Sequence, residues 1–388
     1  MKFLKHQSLW ALLIGGALLT ATACKKDDDD EDVTPTPTPT EERITLSGSI
    51  TSDRTLTADH KYQLSGFVYV ESGVTLTIEP GTVIFGDKVT KATLVIKRGG
   101  KIHAVGTPTS PIVFTSGEEA GSRDYGDWGG IIICGRANNN QPGGEALIEG
   151  GPDATYGGAG SPNDADDSGM MQYVRIEFPG IPFQPNQEIN GLTLGAVGSA
   201  TTIDHIQVSY SGDDSYEWFG GAVNAKYIVA FRGWDDDFDT DNGFRGKVQF
   251  AVSMRDHNIA DQSGSNSFES DNDASGSGTS PFTMPVFSNV SVFGPMTEST
   301  DAPNTLFKRG AHIRRNSRCN VHNSLIAGFP TGLLVDGSLS EANATNNDLQ
   351  VRNTIIAGCT SALSVADGST FDISTWFNTS GYGNSVMS

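Results

Sequence analysis

The chain has 388 residues, with 46 aspartates and glutamates against 26 lysines and arginines and a formal charge of −20. This balance, with a pI near 4.6, argues against nucleic acid as a partner, because phosphates demand a basic face, and against anionic membrane surfaces for the same reason. Divalent cations and neutral or cationic ligands remain compatible with it.

The first segment is a targeting signal. Lys2 and Lys5 supply the positive start, and "LWALLIGGALL" (9–19) is an apolar run too short to span a bilayer as a helix. Small residues, "TATAC", then end at Cys24. The layout resembles a bacterial lipoprotein signal, with Ala21 where a leucine is more usual. The resemblance implies a signal peptide over 1–23, lipidation of Cys24 and anchoring in the outer membrane. The acidic run "KKDDDDED" (25–32) resembles the signal that sends Bacteroidetes lipoproteins to the cell exterior; a solvated spacer reads the same way. "VTPTPTPTEER" favours extended polyproline II, so residues 24–43 are expected to be a tether reaching roughly 60 Å at about 3.1 Å per residue.

Residues 44–388 are expected to form the folded body. By length they could hold several domains, but no internal linker interrupts them. Few windows show helical periodicity. Short runs of Val, Ile, Thr, Phe and Tyr, punctuated by Gly, Asn and Asp, predict an all-β chain with frequent turns.

Repeats set the architecture. "HIQVSYSG" (205–212), "KYIVAFRG" (226–233) and "KVQFAVSM" (247–254) recur at an offset of 21, which aligns Val208, Val229 and Phe250, and Ile206, Tyr227 and Val248. "VHNSLIAG" (321–328) and "VRNTIIAG" (351–358) recur at 30, aligning Asn323 with Asn353 and Leu333 with Leu363. A solenoid of stacked parallel strands does this, and aligned asparagines fit a side-chain ladder. An antiparallel sandwich would explain the alternation but not the constant offsets.

Several segments then carry a family resemblance: "SGVTLTIEPGTVI" (72–84), "DWGGIII" (127–133), "QYVRIEFPG" (172–180), "HIQVSYSGDDSYEWFGG" (205–221) and "DDDFDTDNGFRGKVQF" (236–250). With them the chain resembles the right-handed parallel β-helix surface proteins of Bacteroidetes, which have the pectin-lyase-like fold. The resemblance covers most of 44–388. It implies a single right-handed parallel β-helix and assigns no reaction.

The chemistry concentrates in "GWDDDFDTDNGFRG" (233–246), where five aspartates fall between Asp235 and Asp241. With the 21-residue offset, Asp214, Asp235 and Asp256 share one column, on strands roughly 4.8 Å apart. Carboxylates so placed repel and raise one another's pKa; a bound cation would remove the conflict. Asp237, Asp239 and Asp241 add alternate oxygen donors of the kind Ca²⁺ takes. This is not an EF-hand, since Asn242 and Val248 stand where that loop needs Gly and Glu. The expected cofactor is therefore Ca²⁺, on Asp214, Asp235, Asp236, Asp237, Asp239 and Asp241. Asp213 and Glu217 lie one coil back, and "FESDND" (268–273) follows. An exposed acidic turn is the alternative, because Asp, Asn and Gly are turn residues.

Tyr216, Trp218, Phe219, Trp234, Phe238 and Phe244 surround this block. Alternation buries several, Phe244 among them. Trp218 and Trp234 are the candidates for ligand contact. If the chain is a lyase, its base is sought among Arg232, Arg245 and Lys247, though these could equally pair with aspartates and so make poor bases at neutral pH. Sequence cannot choose a glycosidase carboxylate pair. There is no HExxH, CxxC, GxSxG or phosphate-binding glycine loop. Asp164, Asp166 and Asp167 lie in a Gly/Asp/Pro loop that is either a second ion site or a flexible turn. Cys134, Cys319 and Cys359 are expected as thiols acting as small apolar residues.

Long turns in 151–170, 211–221, 233–246 and 256–281 are expected to gather on one side. The leading functional expectation is a non-catalytic binding module, for a glycan or as partner of a TonB-dependent-type outer-membrane importer. A Ca²⁺-dependent carbohydrate-active enzyme and a purely structural surface protein are the alternatives.

Overall fold

The computed structural model describes residues 42–184, 187–298 and 300–387. The expected signal peptide, the lipidated Cys24 and nearly all of the tether lie outside the described residues.

From Arg43 onward the backbone winds as a right-handed parallel β-helix. Among the described residues, twenty-six strands join one continuous hydrogen-bonded sheet, and two small two-stranded ribbons lie apart from it. One inward column shows the winding. Phe114, Ile176, Val208, Ala230, Ser253, Val292, Ile326 and Ile356 pair rung to rung, and all are buried. Each strand hides alternate side chains against the rung above and below. The result is one core strip from Leu46 to Phe377. Among the described residues no helix is long and apolar enough to cross a membrane.

The 30-residue repeat is observed as expected: Val321 pairs with Val351, Ile326 with Ile356 and Leu333 with Leu363. The 21-residue repeat is not. The lap from Val208 to Ala230 is 22 residues and that from Ala230 to Ser253 is 23. The reason is a corner. Tyr173, His205, Tyr227, Phe250, Asn289, Asn323 and Asn353 occupy one column, each with φ between +50° and +61°. A left-handed residue in mid-strand turns the chain and restarts the in–out alternation. Matching across it by alternation alone slips the register, and a one-residue slip exchanges the faces. Such φ values are uncommon outside Gly, with Asn favoured among the exceptions, which accounts for the aligned asparagines. Where aromatics take the corner their rings stack: Tyr173 on His205 at 4.3 Å, His205 on Tyr227 at 4.5 Å and Tyr227 on Phe250 at 5.0 Å.

The long turns touch one another. Asp164 meets Arg245, and Asp235 accepts a hydrogen bond from Ser263. Cys134, Cys319 and Cys359 are free thiols. Burial pushes those of Cys134 and Cys319 up to about 12, which suits inert packing.

Candidate metal centre and adjoining groove

Three short strands build the centre. Tyr216–Phe219, Phe238–Asp241 and Asn266–Ser270 pair in parallel, with Glu217 beside Asp239 and Asp239 beside Glu269. Alternation sends Tyr216, Trp218, Phe238 and Phe268 inward, and their rings pack together in the core. It sends Glu217, Asp239 and Glu269 to the other face, one above the next. The turns leading into the first two strands add Asp213 and Asp214, then Asp235 and Asp236. These turns are pinned by backbone bonds: the Ser215 N–H donates to the Asp236 carbonyl at 2.9 Å, and the Tyr216 N–H to the Asp237 carbonyl at 3.2 Å. The Asp236 N–H donates to Asp214 Oδ1 at 2.7 Å, and the Asn266 N–H donates to Asp236 Oδ1.

Carboxylate oxygens of Asp213, Asp214 and Asp235 lie within 4.8 Å of one another, as do those of Asp214, Glu217 and Asp239. Asn190 donates to both Glu149 and Glu217 and so holds their carboxyl groups side by side. Burial, then the charge of the neighbouring carboxylates, pushes Asp213, Asp214, Glu217, Asp236 and Asp239 well above the usual carboxylate range. Burial raises Asp235 to about 6 and Glu149 to about 7. The nearby cationic side chains are engaged elsewhere. Arg255 pairs with Asp237, and Arg314 with Glu269 and Asp271. Asp213 Oδ2 and Asp239 Oδ1 are buried without a hydrogen-bond partner. Buried carboxylates in this state either keep protons or neutralise a cation. The donor set is all oxygen, the chemistry that a hard cation such as Ca²⁺ takes.

Beside the centre lies a groove of about 560 Å³. Phe178 and Tyr210 stack along one side, 5.0 Å apart and 10° from parallel, and Phe231 meets Tyr210 edge-on at 5.6 Å. Arg123, Arg175, Glu177, Gln207 and Ser209 supply polar groups. Tyr125 bridges from Tyr210 to Trp234. Tyr210 precedes Asp213 by three residues and Trp234 immediately precedes Asp235, so the turns that carry the carboxylates also carry the aromatic wall. Sequence reasoning missed this groove. Phe178 and Tyr210 follow the paired Glu177 and Ser209, a 32-residue lap that neither repeat offset exposed.

Over residues 48–386 the sequence matches the family model of the pectate-lyase-like β-helix domain. The chain belongs to this family. A solved structure that resembles it, the Dettilon tailspike protein gp208, has 13% identity and a TM-score of 0.32, with 84% of this chain and 62% of that chain covered. No curated protein matches the sequence.

This pectate-lyase-like domain places the expected site residues unevenly. Asp214, Asp235, Asp236 and Asp239 come together, and Asp213, Glu217 and Glu149 join them. Asp237 does not. Its side chain and that of Arg255 are both 0% exposed and paired at 2.9 Å, with hydroxyls of Ser253 and Ser267 completing its bonds. Asp241 lies two residues past Asp239, beside Asp271, and belongs to neither cluster. Asp256 leaves the expected column because the lap is longer than 21 residues, and pairs with Arg232 at 3.5 Å.

Trp218 is 0% exposed, stacked on Tyr216 and Phe244, so its expected ligand contact is ruled out: it shares Tyr216's inward face two residues on. Trp234 is 38% exposed, its indole N–H donating to the Ala260 carbonyl at 2.9 Å. Arg232, Arg245 and Lys247 do not converge on one point. Arg245 pairs with Asp164 at 3.1 Å, and Lys247 lines a separate hollow with Lys226 and Asn224. Asp164, Asp166 and Asp167 are each engaged, by Arg245 and Asn138, by the Arg136 N–H and by Lys101, and among the described residues they are not part of either carboxylate group.

Proposed function

We propose that this chain is a non-catalytic binding module, held outside the cell by lipid on Cys24, that takes a glycan in the groove beside the carboxylate centre. Ca²⁺ in that centre orders the turns on which the groove depends. The observation that supports this reading is the double use of those turns: carboxylates crowd within them while Tyr210 and Trp234 stand at their outer edge. Aromatic faces flanked by planar polar side chains suit sugar rings, which present apolar faces and hydroxyl edges. A TonB-dependent-type importer is the partner that such an anchored module would serve.

The test is titration of the full chain against a polysaccharide panel, with Ca²⁺ or with a chelator, while reducing ends and unsaturated products are followed. The expected result is saturable binding without products, weakened by chelation and by Tyr210→Ala. Absence of binding to every glycan would remove this reading in favour of a structural surface protein.

A second reading, a carbohydrate-active enzyme, is favoured by one feature. Asn190 holds the carboxyl groups of Glu149 and Glu217 side by side, and Glu149 lines a hollow of about 210 Å³ with Tyr156 and Asn242. Product release that is lost in Glu149→Gln would establish it over the first.

A further inference from the structure

The carboxylates of the centre are arranged as two overlapping groups with a single shared member. Asp213, Asp214 and Asp235 form one, Asp214, Glu217 and Asp239 the other, each with its oxygens within 4.8 Å of one another. We propose that the centre holds two divalent cations, bridged by the Asp214 carboxylate, one between Asp213 and Asp235 and the other between Glu217 and Asp239. The inference rests on the reading that the centre binds a cation at all, and goes beyond it in number and arrangement.

Three observations carry it. First, each group contains its own orphaned oxygen. Asp213 is only 9% exposed and its Oδ2 has no partner; Asp239 Oδ1, in the other group, is likewise buried without one. A buried acceptor left bare costs free energy. One cation placed in either group would satisfy one of these oxygens and leave the other.

Second, once these carboxylates ionise, their number suits two ions better than one. The two groups bring together five carboxylates, and Asp236 and Glu149 lie against them. No lysine or arginine enters either group, and the nearest guanidiniums are committed to Asp237, Glu269 and Asp271. One divalent cation would leave three of the five negative charges unmatched, and two leave one. Uncompensated buried charge is among the costliest features a fold can carry.

Third, Asp214 is fixed as a bridge must be. Its Oδ1 accepts the Asp236 N–H at 2.7 Å, and its own carbonyl accepts the Gly191 N–H at 2.9 Å. A carboxylate has about four acceptor positions, so one backbone bond leaves room for a metal on each oxygen. Paired metals sharing ligands stand roughly 3.5–4 Å apart, compatible with strands roughly 4.8 Å apart.

The experiment counts ions. The full chain, stripped with chelator and refilled with Ca²⁺, is studied by calorimetry and by native mass spectrometry. Two ions are expected per chain. Asp213→Asn and Glu217→Gln are each expected to retain one, and Asp214→Asn to bind neither tightly. Circular dichroism checks that each variant folds. Should a variant fail to fold, the wild-type count and two adjacent anomalous peaks in a Ca²⁺-soaked crystal decide the matter. A count of one overturns the bridged pair and leaves a singly ordered centre standing; a count of zero overturns both.

Discussion

Glu217 and Asp239 occupy paired positions on adjacent rungs, and their side chains leave the same face of the sheet. Two acids so placed raise each other's affinity for protons, and both are pushed up by burial first and by neighbouring charge second. Anything that neutralises them should therefore change how stable the coil stack is.

Calcium is expected to stabilise the fold. A ligand that binds only the folded state adds about 2.7 kcal/mol at a hundred times its dissociation constant. Thermal melts of the full chain in saturating Ca²⁺ and in chelator should differ by several degrees, and Asp214→Asn should erase the difference. Identical melting curves would sink the cation reading.

The pH dependence follows from the same groups. Burial raises Asp235 to about 6 and Glu149 to about 7 in the folded chain, against about 4 in the unfolded chain. Between those values the folded state holds protons that the unfolded state has released. The contribution of these groups is full below the unfolded pKa and is lost as pH rises through the folded one. Without metal, the melting temperature should fall between about pH 4 and about pH 7. With Ca²⁺ the added stability should grow over the same interval, because the ion needs the carboxylates deprotonated.

The Asp237–Arg255 pair is a structural element and should behave as one. Arg255→Ala strands a buried aspartate and is expected to cost about 3–5 kcal/mol in denaturant titration. Replacing both partners, Asp237→Asn with Arg255→Met, should recover much of that loss. A double variant as unstable as the single one would contradict this account.

The two tryptophans should separate cleanly. Trp218→Ala opens a cavity in the aromatic core and is expected to cost about 3–5 kcal/mol. Trp234→Ala removes a partly exposed ring and should cost far less, while weakening any ligand that contacts the Tyr125–Tyr210 wall. Equal stability losses would place Trp234 in a structural role.

Anchoring is tested through Cys24. Cys24→Ser is expected to shift the chain from the membrane to the soluble or secreted fraction, and to abolish labelling by a fatty-acid probe. Unchanged fractionation would remove the lipoprotein proposal.

The architecture and the neighbourhood of the centre are legible in the order of the residues. Alternating apolar runs at recurring offsets are buried together by stacking, and Asp235, Asp236 and Asp239 stand out by their crowding, while Asp214 is legible only through its place about one lap earlier. The 30-residue repeat was legible because its two laps keep equal length. The shorter repeat is not legible in this way: its laps run 22 and 23 residues where a constant 21 is expected, because the left-handed corners at Tyr227 and Phe250 restart the alternation and no local pattern marks where that happens. Trp218 was separable in principle, lying two residues past Tyr216 on the same strand. Only the tertiary structure could decide that Arg255 withdraws Asp237 from the centre, that Glu149 and Asn190 enter it, and that Phe178 meets Tyr210. Each of these contacts depends on the length of an intervening turn, and turn length sets which residues of successive laps become neighbours.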